Sequence, residues 1–179
     1  MDIYKKEERI MGKALALAGV GLQDLPGNRQ PGTVGWLNLK VAVWEAVETY
    51  IHRGFDTFYC DIKTGADLLC WEVLTDIRDN SQTPIQVIAV RSYAERGAYL
   101  TRTERIQKAL PLVEADRVVD AGNLEACCRY MADRADAALG IYHGEDYCPA
   151  ASLVQDARER QKEIALIDTV TLEIRTPEE

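Results

Sequence analysis

The sequence predicts an α/β domain of the Rossmann-like, doubly wound kind: a mostly parallel sheet with helices on both faces. Three observations lead there. Short apolar runs alternate with longer amphipathic stretches, as strand–helix–strand units require. The alternation is sustained along the whole chain, with no internal repeat and no linker to divide it. The 179 residues, 47% of them hydrophobic, amount to about one domain, and a chain of that size buries roughly 70% of its unfolded surface in a single core.

The polar leader of residues 1–12 precedes a domain expected to span residues 13–175, with 176–179 as a tail. Lys13–Ala18 reads as the first strand and runs into the loop Gly19–Gly35. Leu39, Val43, Val47 and Tyr50 then recur at helical spacing, with Trp44 and Ile51 alongside, and Gly54 falls at the C′ position that ends such a helix. Thr57–Cys60 is the second strand. A helix follows from about Gly65 to Ile77, then a polar breaker ending in Pro84, then the strand Ile85–Val90. Arg102–Leu110 carries a helical stripe that Pro111 is expected to end or restart. Arg117–Val119 is a short strand. Asn123 is a good N-cap for a helix whose stripe is Leu124, Cys127, Cys128 and Met131. Ala137–Tyr142, a helix over Ser152–Gln161, Ile164–Ile167 and an edge strand at Val170–Ile174 complete the pattern.

Charge narrows the partners. Lys and Arg total 21 against 29 Asp and Glu, a net of −8, whereas a protein that grips a phosphate backbone presents a basic face. Nucleic acid is therefore not an expected partner; a small anion needing only a few N–H groups and an Arg is compatible. No apolar run approaches the roughly 20 residues that span a bilayer, and the N-terminus is polar and mixed in charge, so a cytoplasmic protein without a membrane partner is expected. The five cysteines (Cys60, Cys70, Cys127, Cys128, Cys148) lack CxxC spacing, and His52 and His143 are the only histidines. Reduced, buried thiols are expected, with no metal and no cofactor.

In a doubly wound sheet, ligands sit beyond the carboxyl ends of the strands near the switch point. The first loop there offers Gly19 and Gly21, which lack the third glycine of a dinucleotide fingerprint and equally serve a simple turn. In the second, Thr64 and Gly65 open a helix whose N–H groups can face an anion, with Lys63 as counter-charge. Thr64 as an ordinary cap, with Asp67 stabilising the first turn, explains the same residues. Asp61 repels phosphate but accepts hydrogen bonds from a ribose or a base. Arg91 and Arg96 are candidate phosphate partners in the third loop. In the fifth, Tyr142 and Tyr147 can stack on a base, His143 can move a proton near neutral pH, and Glu145 beside Gly144 and Asp146 can hold a ribose hydroxyl. An exposed polar turn accounts for that loop equally well.

From Lys13 to Asp168 the chain resembles the YpsA-like family of the SLOG superfamily, which also holds the DprA and LOG proteins. Thr64–Leu68 followed by Trp71-Glu72-Val73 is similar to the family's A-x-G-x-D-x-x-A-A-E segment. Leu110–Val119 is similar to its helix, Ala-Asp and apolar strand, Tyr130–Tyr142 to its W-M-V-D-x-x-D-x-x-I-A-V-Y stretch, and Ala157–Asp168 to its closing I-x-x-I-D segment. The resemblance implies a Rossmann-like domain for a nucleotide-derived ligand; LOG members cleave an N-glycosidic bond in nucleoside monophosphates. Where the family has Gly-His-Arg-Pro this chain has Gly19-Val20-Gly21-Leu22, and where it has Ser-Gly-Gly this chain has Cys60-Asp61-Ile62. Cys127-Cys128 replace its Arg-Asn, and Cys148-Pro149-Ala150 its Gly-Gly-Thr. These changes remove the glycines that let backbone approach a phosphate and the arginine that pairs with it.

The strand-end loops carry Gly, Arg, Tyr and Asp without a coherent set of acid, base and nucleophile. A binding domain for a nucleotide-derived small molecule, used in sensing, sequestration or regulation, is the expectation, with catalytic residues unassigned and a homodimer open. The alternatives are a hydrolase resembling the LOG phosphoribohydrolases, using Glu145 or Asp61, and a structural interaction domain with a decayed cleft.

Overall fold

A computed structural model describes residues 12–63, 65–92, 109–145 and 147–176. Seven strands form one sheet: β1 (Lys13–Gly19), β2 (Phe55–Asp61), β3 (Gln86–Ser92), β4 (Arg117–Gly122), β5 (Ala137–Ile141), β6 (Glu163–Ile167) and β7 (Ile174–Arg175). Their order is β4-β3-β2-β1-β5-β6-β7. Every neighbouring pair is parallel except β6 and β7. The central strand β1 is held on both edges: Leu15 pairs with Phe58 of β2 and with Ala137 of β5. Chain order reverses between β1 and β5, and that reversal opens the crevice in which such folds bind ligands.

The connecting helices are α1 (Val34–His52), α2 (Ala66–Asn80), α3 (Leu124–Arg134) and α4 (Pro149–Glu159), with residues 109–114 also helical. α1 packs on α2, and α3 packs on α4. Consecutive strand residues point to opposite faces, and β2 shows which pair lies where. Tyr59 meets the ring of Tyr130 on α3, while the neighbouring Cys60 thiol donates to the Asp67 carbonyl on α2. Helices thus cover both faces, as a doubly wound fold requires. The core between them holds Leu15, Leu17, Phe58, Leu139 and Ile141, all fully buried. No helix among the described residues is long and apolar enough to cross a membrane.

Local chemistry sets the element ends. The Thr33 hydroxyl accepts the Trp36 amide to start α1, and Gly54, at φ +89°, ends it as expected. Asn123 caps α3 by accepting the Ala126 amide at 2.8 Å. Two expectations change, and a third is narrowed. The helix expected over Ser152–Gln161 starts three residues earlier, because the Cys148 sulfur accepts the Ala151 amide and Pro149 occupies the first turn. Of the two readings at Pro111, an end near Leu110 does not hold, since residues 109–114 are helical; residues 102–108 lie outside the described residues. Val170–Ile174 is not a strand. Asp168 draws residues 169–171 into a turn by accepting the amides of Val170 and Thr171, leaving only the two-residue β7.

Candidate functional site

A cleft of about 370 Å³ opens at the carboxyl ends of the strands. Gly21, Gln23 and Asp24 border it from the loop after β1, Lys63 and Asp67 from the β2–α2 connection, and Ser92 from the end of β3. Leu124 at the start of α3, with Tyr147 and Cys148 ahead of α4 and Pro149 opening it, forms the far wall.

The loops after β1 and β2 are locked together beneath this cleft. Gly65 takes φ +65°, and a Cβ there would stand 2.6 Å from the Gly21 carbonyl carbon and the Leu22 nitrogen. Both the conformation and the close approach demand glycine. The next residue, Ala66, donates its amide to the Val20 carbonyl at 3.0 Å. Asp67, 1% exposed, accepts the Gly19 amide on Oδ1 at 2.7 Å. Gly19 itself leaves no room for a side chain, since a Cβ would collide with Ala66.

Asp61 ends β2 fully buried, with the Lys63 ammonium 3.3 Å from its Oδ2. Burial alone would lower the Lys63 pKa; the carboxylates of Asp61 and Asp67 outweigh it and raise it. Lys63 therefore stays charged between two carboxylates. The Cys60, Cys70 and Cys128 thiols beneath are pushed up by burial, and all five cysteines are buried.

Other expected site residues lie elsewhere. Arg91 does not line the cleft; it grips Asp120 on β4 through Nε and Nη2. Tyr142 is half-buried against the core and donates its amide to Ile167. His143 turns toward β6, its Nδ1 2.9 Å from both carboxylate oxygens of Asp168, while its amide donates to Glu145 Oε2 at 2.6 Å. Gly144, at φ +86°, makes the turn between them. Thr64, Arg96 and Asp146 lie outside the described residues. Gly21 and Asp67 thus meet at the cleft with Gly19, Asp61 and Gly65 beneath, whereas Arg91, Tyr142, His143, Gly144 and Glu145 do not line it.

Gln23, Asp24, Ser92 and Cys148 line the cleft without having been singled out as ligand residues. The only sequence signal for them was position just past a strand end. A second groove, of about 290 Å³, lies between the C-terminal halves of α1 and α2 and is lined by Trp44, Ile51, His52 and Ile77 among others.

Comparison with protein-family models finds none that matches this chain, and comparison with curated proteins finds no match.

Proposed function

We propose that the chain binds a nucleotide-derived small molecule in the strand-end cleft and acts in sensing, sequestration or regulation. The observation that carries this is the cleft's place: it straddles β1, where chain order reverses, and takes walls from the β1, β2 and β5 loops. Ligand clefts of roughly 300–1,000 Å³ are usual, and this one is at the small end. Tyr147, fully exposed at the rim, supports a planar ring as ligand partner. The resemblance to YpsA-like proteins supports the nucleotide class, with this chain as a divergent member. Five buried cysteines without CxxC spacing suit a reducing compartment, the cytoplasm in this proposal.

Thermal unfolding with nucleosides, nucleotides, ADP-ribose and cyclic nucleotides tests the reading. Binding to the native state raises Tm by mass action, and Tyr147→Ala should abolish the rise. A panel that leaves Tm unchanged at millimolar concentration overturns it.

A further inference from the structure

We infer that the cleft recognises the nucleoside part of its ligand, an uncharged ring bearing hydroxyls, and discriminates against phosphate. The inference rests on the cleft being the ligand site. Its ground is that, among the described residues, amides and cations that could hold an anion there are engaged within the protein itself.

Backbone amides at helix starts are the first such device. At α2, the Ala66 amide is given to the Val20 carbonyl, and Asp67 puts a carboxylate in the first turn. At α3, Asn123 takes the Ala126 amide, and Glu125 adds negative charge. At α4, Cys148 takes the Ala151 amide, and Pro149 has no N–H to offer.

Cationic side chains are the second device. Lys63 is the one cation among the described residues lining the cleft, and it already faces Asp61. Arg91, the guanidinium best placed by sequence, is committed to Asp120. Lys63 is thus opposed by Asp61 below and by Asp24 and Asp67 in the lining. Among the described residues, one positive charge against three carboxylates leaves the cleft negative, in a chain whose net charge is −8. A phosphate brought there meets repulsion, and among the described residues the Arg91 fork and the Ala66, Ala126 and Ala151 amides are already engaged.

The same surroundings suit hydroxyls. Carboxylates accept hydrogen bonds from vicinal hydroxyls, and Asp24, Gln23 and Ser92 stand at the opening with the Tyr147 ring. A nucleoside presents that combination of flat ring and donors.

Calorimetry on the full chain with adenosine, guanosine, cytidine and uridine, each beside its 5′-monophosphate, tests the inference. At least one nucleoside should bind tenfold or more tighter than its monophosphate. Added salt should narrow that gap by screening the repulsion, and Asp24→Asn should narrow it at low salt. Arg91→Ala should leave the nucleoside affinity unchanged. A monophosphate bound as tightly as its nucleoside, or more tightly, overturns the inference while leaving the cleft as the site. If no nucleoside and no monophosphate binds, the site reading falls and the inference with it.

Discussion

The carboxylate of Asp67 accepts the backbone amide of Gly19 across 2.7 Å, joining the first turn of α2 to the last residue of the central strand. Residues 48 positions apart thereby set the floor of the cleft. A buried amide left without an acceptor costs about 1–3 kcal/mol. Asp67→Ala should lower stability by that amount, read from the urea midpoint, whereas Asp67→Asn, which keeps an acceptor, should cost less. Equal costs would show that the carboxylate's charge matters more than its bond to Gly19.

Two glycines at positive φ should behave differently. Gly144→Ala, at φ +86° with open space around it, should cost about 1–2 kcal/mol for the left-handed backbone alone. Gly65→Ala meets the same penalty and also drives a methyl into the backbone of Gly21 and Leu22. Overpacking adds about 1–3 kcal/mol, so its Tm should fall further. Similar Tm values for the two variants would mean that the β1 and β2 loops separate readily.

Asp168 should govern part of the acid response. Burial pushes its carboxyl up, but the Thr171 amide, the His143 ring and the Val170 amide outweigh it and hold the pKa below the ordinary Asp value. A depressed folded pKa contributes stability that is complete above the unfolded value of about 3.9 and is lost as pH falls through the folded value. Wild type should therefore exceed Asp168→Asn most clearly above about pH 4, and the two Tm curves should draw together as pH falls below that. A difference constant across that range would remove Asp168 from the acid response.

Arg29 is 9% exposed and donates to three carbonyls: Thr169 and Val170 at 3.1 Å and Gly35 at 3.4 Å. It fastens the loop after β1 to the turn after β6. A lysine ammonium cannot reproduce the planar fork, so Arg29→Lys should cost about 1–3 kcal/mol. Amide hydrogen exchange should quicken at Val170–Leu172 before it does in β1. Unchanged exchange in that turn would show the fastening to be dispensable.

Much of the sheet was legible because strand–helix alternation is a local pattern. Ile85–Val90 and Leu139–Ile141 read directly as apolar runs, and Asn123 and Gly54 announced helix ends by their own chemistry. Cys148 gave no such notice, since thiols are seldom caps, and the start of α4 was misplaced accordingly. The turn at residues 169–171 was masked by Val170, Thr171 and Ile174, which favour strands, until the Asp168 carboxylate gathered the amides that follow it. Within the site, Gly65 and Asp67 stood out from their neighbours. Val20 did not, and Gly19 stood out only as a turn glycine, because the approach of two loops across the sheet leaves no mark of a partner at either position. The pairing of Arg91 with Asp120 depends likewise on the β3–β4 register, which a single strand does not encode.

The central place of β1 bears on how the chain is made. Its second edge is closed only by β5, whose Ala137–Ile141 pair with Leu15–Gly19. On the ribosome, everything through Gly122 can emerge while that edge still lacks its neighbour. Translation at about 5–20 residues per second then needs about 1–4 s to reach Ile141. Throughout that interval the nascent chain presents Leu15–Ala18, which is fully buried in the finished protein, as an open and sticky border. Pausing between codons 122 and 141 should lengthen the exposure, making this short stretch of message the point at which synthesis rate bears on aggregation.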